Sequence, residues 1–156
     1  MKNKKLWLRL LPFGILLMLS GCSFMGLSFG AGKLVKTEGA LSSKSLDGTA
    51  SYLTVERISL QDGGPQVRLV RDGGAPRVAI EAAADLLDRL TVEFTGKQLK
   101  IQGPSGVTFE TALPVTITLY NNDFTTIILS GACRAESDIP LGNAESKLSV
   151  KLSGAS

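Results

Sequence analysis

Histidine is absent from all 156 residues of this chain. Its absence removes the commonest general base and the commonest metal ligand together. No Ser/His/Asp or Cys/His arrangement can be built. Cysteine is nearly absent too, with only Cys22 and Cys133. Gly-x-Ser-x-Gly does not occur, nor does a phosphate-cradling glycine loop opening a helix. Gly63-Gly64 and Gly73-Gly74 each lie within two residues of a proline and read as turns. The acids show no Asp-x-Asp spacing of a calcium loop. No cofactor and no metal are expected. A long apolar run is missing as well. The longest begins at Leu6 and ends at Leu19, interrupted by Arg9 and Pro12, whereas a spanning helix needs about 20 apolar residues.

Charge is unevenly divided. The chain has 17 basic and 14 acidic residues, and four of the basic ones (Lys2, Lys4, Lys5 and Arg9) precede Cys22, where no acid lies. The remainder is close to neutral and has no clustered Lys/Arg, so it carries no electrostatic footprint for nucleic acid.

The N-terminus is organised as an export signal. Positive charge up to Arg9 is followed by the short apolar stretch Leu10–Leu19. Next comes Leu19-Ser20-Gly21-Cys22, which matches the lipobox of bacterial lipoproteins. Small residues at 20 and 21 fit a narrow peptidase site, and the Cys22 thiol accepts a diacylglyceryl group. The lipobox pattern implies cleavage before Cys22 and palmitate-type acylation of the new amino group. Several acyl chains, at about 0.8 kcal/mol per buried methylene, anchor far better than one. Residues 1–21 are therefore expected to be a signal peptide, and Cys22 the lipid-bearing membrane anchor. With Ser23 rather than Asp following, the destination is the cell envelope, in the outer membrane if the envelope is Gram-negative. Lipidated Cys22 would leave Cys133 without a partner. It reads as a small half-buried residue, with intermolecular pairing as the alternative.

From Ser23 to about Ala50 the chain is rich in Gly and Ser without a sustained apolar period. The expectation is a flexible tether over 22–50 with a reach of about 30 Å; an irregular cap packed on the domain is the alternative. Leu34–Thr37 could form a short first strand.

Period-two alternation then takes over. Ile58–Leu60, Val67–Leu69, Val78–Ile80, Leu90–Phe94, Leu99–Ile101 and Val115–Leu119 are candidate strands, separated by turn chemistry at Gln61–Pro65, Arg71–Pro76 and Thr95–Lys97. Ala82–Leu90 departs from the pattern, with Leu86, Leu87 and Leu90 on one helical face; one or two helical turns between strands are expected there. Many short strands point to an all-β domain over 51–156: a sandwich, barrel or solenoid.

An internal echo narrows the choice. Leu129-Ser130-Gly131-Ala132-Cys133 returns as Leu152-Ser153-Gly154-Ala155-Ser156, an offset of 23 residues. Upstream, Ile127 corresponds to Val150. The spacing suits one turn of a β-solenoid whose small residues stack at corners. Ser130, Gly131, Ala132 and Cys133 would then align with Ser153, Gly154, Ala155 and Ser156.

Over residues 52–156 the chain resembles the auto-transporter adhesin, head GIN domain family of bacterial lipoproteins. The similarity is carried by the Ile58 strand, Val67-Arg68-Leu69, Val78 through Leu90, Gly96 through Ile101, the Pro114–Leu119 strand and both Leu-Ser-Gly-Ala strings. The resemblance implies a right-handed parallel β-helix with a β-rich N-terminal cap, and no established catalytic residues. Members of that family continue with further coils, whereas this chain stops within its second string. The expectation is a C-terminal coil left open, by a truncated reading frame or for pairing with another chain.

Three functions follow from these readings. The favoured one is a non-catalytic, membrane-anchored interaction or structural module, adhesin-like, with a protein or glycan partner. A scaffold lipoprotein that binds a partner, or a second copy of itself, by strand-edge pairing is the next. An envelope polysaccharide lyase or glycosidase is the enzymatic alternative, and would need clustered acids. Its nearest candidates are Asp85 with Asp88 on the helical turn, and Glu136 with Asp138 at a coil corner.

Overall fold

The computed structural model describes residues 32–138, 140 and 147–154. In chain order its elements are β1 (Lys33–Lys36), β2 (Leu41–Asp47), β3 (Tyr52–Glu56), β4 (Ser59–Leu60), β5 (Gln66–Val70), β6 (Arg77–Ala83), α1 (Ala84–Leu87), β7 (Thr91–Thr95), β8 (Gln98–Gln102), β9 (Val107–Glu110), β10 (Thr116–Tyr120), β11 (Thr126–Ser130), β12 (Arg134–Ser137) and β13 (Ser149–Ser153). The all-β expectation holds, with a single short helical element among the described residues.

The strands form three sheets. One has the order β13-β11-β3-β8-β7, a second β12-β5-β10-β6-β2, and a third β1-β9-β4. The run β3-β4-β5 visits the first, third and second sheet in turn, and β8-β9-β10 visits them in the same order. Each strand of one run pairs in parallel with its counterpart in the other. Two coils of chain are thus stacked. β11 and β12 continue the stack on the far side of the first coil, since β11 pairs with β3 and β12 with β5. The first coil in sequence is therefore the middle one in space. Simple succession, in which each coil lies on the one before it, is not what the sheets show.

Alternation explains the packing. β3, β5, β8, β10 and β11 each turn two aliphatic residues inward, and register lays them in columns: Leu99, Leu53 and Ile127 in one, Ile101, Val55 and Leu129 in the next. All six are buried. Across the core, Ile117 lies beside Val67 and Leu119 beside Leu69, while Phe109 pairs with Leu60 and Val35 in the third sheet. Full burial of each such side chain contributes about 1.5–3 kcal/mol, so this ladder is the main cohesive element.

At the β8–β10 end the direction reverses. β6 lies antiparallel on β10 and β7 antiparallel on β8. The connection between them is α1, and Leu86, Leu87 and Leu90 are buried. The helical turn read from Ala82–Leu90 therefore forms, and its leucines extend the core at this end.

Two expectations are corrected. The flexible tether expected over 22–50 does not extend through its described part, because β1 pairs with β9 and β2 with β6. β2 is an outermost strand, held through its backbone, with nearly every residue exposed. It has no dry face to impose alternation, and its Ser/Lys composition reads as loop; a lysine on such an edge also discourages further pairing. Glu136 was expected at a corner, yet it lies within β12, opposite Arg68. β12 (Arg-Ala-Glu-Ser) has no aliphatic pair to announce a strand, and β5 recruits it through the main chain.

Candidate functional site

The lipobox residues Leu19, Ser20, Gly21 and Cys22 lie outside the described residues, as do Ala155 and Ser156. The alignment of Ala132 and Cys133 with those last two therefore lies outside them as well. The other repeat residues are brought together. β11 and β13 pair in parallel with Ile127 beside Val150, Leu129 beside Leu152 and Ser130 beside Ser153. The observed register equals the 23-residue offset of the echo.

Corner geometry follows from that stacking. The Ser153 hydroxyl donates to the Ser130 hydroxyl oxygen at 3.0 Å, and the Gly131 amide donates to the Ser153 carbonyl at 2.8 Å. Gly131 and Gly154 share the same left-handed backbone, each with φ 101°, a conformation that glycine adopts without steric cost. Gly64 stands at another corner, where an added Cβ would lie 1.2 Å from the Ala132 carbonyl oxygen. Coil thickness there leaves no room for a methyl group. Arg57 fills the corresponding corner of the first coil in left-handed conformation at φ 59°. Its guanidinium donates to Gln102 Oε1 at 2.6 Å and to Ser105 Oγ at 3.0 Å, tying the first coil to the second.

Cys133 is buried, with its thiol 3.6 Å from the Ser130 carbonyl oxygen. Burial pushes this thiol up from its ordinary pKa, which lowers its thiolate fraction and hence its reactivity. The acids weighed as enzymatic candidates are dispersed. Asp85 Oδ1 accepts from the Gly39 amide at 3.4 Å, and Asp88 forms the C-terminal cap of α1. Glu136 pairs with Arg134 at 2.8 Å and accepts from Gln66 Nε2 at 3.0 Å, while Asp138 pairs with Arg68 at 3.4 Å. Among the described residues no three Cys, Asp or Glu side chains gather as a metal site.

Two surfaces remain. The first is the end of the stack at β13. Val150 and Leu152 occupy inward positions of the column but are 49% and 56% exposed, against 3% and 0% for Ile127 and Leu129 beneath them. With Ala132, Cys133 and Ala135 they line an apolar depression of about 640 Å³.

The second is the outer face of the β13-β11-β3-β8-β7 sheet. One row across it reads Thr95, Gln98, Tyr52, Thr126 and Ser149. The next reads Glu93, Lys100, Thr54, Ile128 and Lys151. Tyr52 stands in the middle, 49% exposed. Its backbone is pinned, since the Ser51 and Tyr52 amides both donate to the Lys97 carbonyl, at 2.8 and 3.1 Å. Tyr52 was not singled out by sequence reasoning, although its position on the wet phase of Tyr52-Leu53-Thr54-Val55-Glu56 was a readable signal.

A polar clip secures the turn between β5 and β6. Asp72 pairs with Arg77 at 2.6 Å, and the Arg77 guanidinium lies 3.9 Å above the Tyr120 ring centroid. The Asn121 side-chain Oδ1 accepts from the Asp72 and Gly73 amides. The hydrogen bonds from Arg77 and Asn121 hold the Asp72 carboxyl far below its ordinary value.

The family model described as "Putative auto-transporter adhesin, head GIN domain" matches residues 42–156. No curated protein matches. Among solved structures, a putative adhesin from Bacteroides fragilis is similar at TM-score 0.63 and 10% identity, over 77% of this chain and 53% of that one. A putative adhesin from Parabacteroides merdae is similar at TM-score 0.59 and 12% identity, over 77% and 47%. A putative lipid binding protein from Parabacteroides distasonis is similar at TM-score 0.53 and 15% identity, over 67% and 44%. At these identities the likeness is one of fold. The chain spans about half the length of the solved structures it matches.

Proposed function

We propose, from the premise that this chain belongs to the putative auto-transporter adhesin, head GIN domain family, that it is an exported lipoprotein presenting a non-catalytic β module for interaction at the cell envelope. Residues 1–21 are the leader, Cys22 carries the lipid, and the envelope membrane is the first partner. The observation that carries this reading is the Leu19-Ser20-Gly21-Cys22 string directly after a short charged-then-apolar leader. Among the described residues the first strand begins at Lys33.

The module itself is read as a short right-handed parallel β-helix with its coils stacked out of chain order. Support comes from the parallel registers of β3, β8 and β11 and from the strong preference of parallel crossovers for the right hand. Rigidity suits display: residues on the outer sheet faces are fixed by a buried aliphatic ladder rather than by loops. The carboxylates that a lyase or glycosidase would use are separately engaged by Arg134, Arg68 and the Gly39 amide, which favours the non-catalytic reading. Strand-edge pairing with a partner or a second copy is the second reading, favoured by exposed Val150 and Leu152 on β13.

The anchor is tested by fractionating cells that express the chain and its Cys22→Ser variant. The wild type should be cleaved and fractionate with membranes, with an unprocessed precursor accumulating under globomycin-type inhibition. The variant should stay uncut or become soluble. A cleaved Cys22→Ser product still in the membrane fraction would overturn the proposal.

A further inference from the structure

We infer that the outer face of the β13-β11-β3-β8-β7 sheet, centred on Tyr52, is a binding site for an uncharged glycan. This rests on the reading of the chain as a displayed, non-catalytic module and supplies its ligand class. Four observations carry it. Tyr52 is a half-exposed aromatic ring on an inner strand of the sheet, flanked by β8 and β11, so it is neither a loop-tip residue nor an edge residue. Its immediate surroundings are hydroxyl and amide groups: Gln98 and Thr126 beside it in register, with Thr54 and Thr95 close by. Together they line a shallow depression of about 360 Å³ with Ile128 and Lys97 at its margins. The groups are also held in place: Gln98 Nε2 donates to Thr54 Oγ1 at 3.4 Å, and the Lys97 carbonyl fixes the base of Tyr52.

The chemistry of such a face selects its ligand. Backbone groups of β3, β8 and β11 are consumed by sheet pairing, so an extended peptide cannot add as a strand here. Recognition must be by side chains alone. A sugar ring offers an apolar C–H face and a rim of hydroxyls; an aromatic face takes the first and amide or hydroxyl groups take the second. Neighbouring strands lie about 4.8 Å apart along the stack, so a linear glycan running across the strands meets a new polar side chain at each step. Charge argues for a neutral chain. Lys97 is the single ionisable side chain besides Tyr52 among the lining residues, and Lys100 in the next row is neutralised by Glu56 at 3.1 Å. An acidic polysaccharide would find no cluster of cations.

The test is cosedimentation of the detergent-solubilised full chain with insoluble cellulose, chitin and starch, followed by titration with the matching hexasaccharide. The chain should be retained by at least one of them, and retention should persist in 0.5 M salt, on the order of three times the ionic strength at which the Debye length is already short. Tyr52→Ala should weaken binding about ten-fold and Gln98→Ala about three-fold. Both replaced side chains are exposed, and an unchanged circular dichroism spectrum and melting temperature would show that the fold persists. Retention by none of the three, binding unaffected by Tyr52→Ala, or retention lost in salt would overturn the inference. Its failure is separable from failure of the anchor: fractionation of Cys22→Ser reads the lipid alone, and glycan retention reads the sheet face alone.

Discussion

β11 and β13 carry nearly the same string, Ile-Ile-Leu-Ser-Gly against Val-Lys-Leu-Ser-Gly, yet the leucine of one is buried and that of the other is mostly exposed. Their backbones match down to the left-handed glycine that follows each strand. The difference is therefore not in the strand but in what lies on it: among the described residues β11 has β3 on one side and β13 on the other, while β13 has β11 alone. In a stack of coils, one sequence motif acquires its energetic weight from its neighbour. The inner strands hold the fold, and the apolar side chains of β13 are exposed.

That contrast can be broken most severely at a corner. Gly64→Ala would drive a methyl group into the Ala132 carbonyl, separating the first coil from the β11–β12 coil. A loss of about 3 kcal/mol or more is expected in chemical denaturation. Gly63→Ala, whose added Cβ meets nothing but whose φ is +124°, should cost about 1–2 kcal/mol. Equal effects of the two would show that backbone strain, not coil spacing, governs the corners.

The columns give the next largest contrast. Leu129→Ala empties a fully buried position and should cost about 2–5 kcal/mol. Leu152→Ala removes the same side chain from the uncovered coil, and about 0.5 kcal/mol or less is expected. If Leu152→Ala proved as costly as Leu129→Ala, the end of the stack would be covered in solution.

A smaller effect should appear at the polar clip. In the folded chain the Asp72 carboxyl is held below its ordinary value of 3.8, so it binds fewer protons than the unfolded chain does at low pH. Its contribution is fully present above that ordinary value and declines as pH falls below it. Asp72→Asn should lower the melting temperature slightly at pH 7, and the gap to wild type should close in acid. A gap that widened on acidification would contradict this sign. The group is solvent-exposed, so the shift should shrink in salt.

Much of this organisation was legible in the residues. Val67-Arg68-Leu69 and Leu99-Lys100-Ile101 announce strands because one face is dry and the other wet. Gly63, Gly73 and Gly96 mark turns because each occupies left-handed backbone. The 23-residue echo gave the β11–β13 register before any strand was placed. β2 and β12 were not legible, because their strand character comes from the backbones of β6 and β5 rather than from their own side chains. Coil order was equally hidden: nothing in the sequence of β11 says that it pairs with β3 instead of β8, since Leu53 and Leu99 offer equivalent aliphatic surfaces. The sheet face around Tyr52 was half legible, through an aromatic residue on the polar phase of an alternating run.

The two Leu-Ser-Gly strings stack in parallel at the 23-residue offset, and cross-linking tests that directly. With Cys22 and Cys133 changed to Ser, the pair Ser130→Cys and Ser153→Cys places two thiols at neighbouring register positions, within the Cα separation of about 4.4–6.8 Å that a disulfide spans. An intramolecular disulfide should form under mild oxidation, while Ser130→Cys with Lys151→Cys, two positions out of register, should remain reduced. A folded chain that cross-links through Lys151→Cys but not through Ser153→Cys would contradict the stacking on which the rest is built.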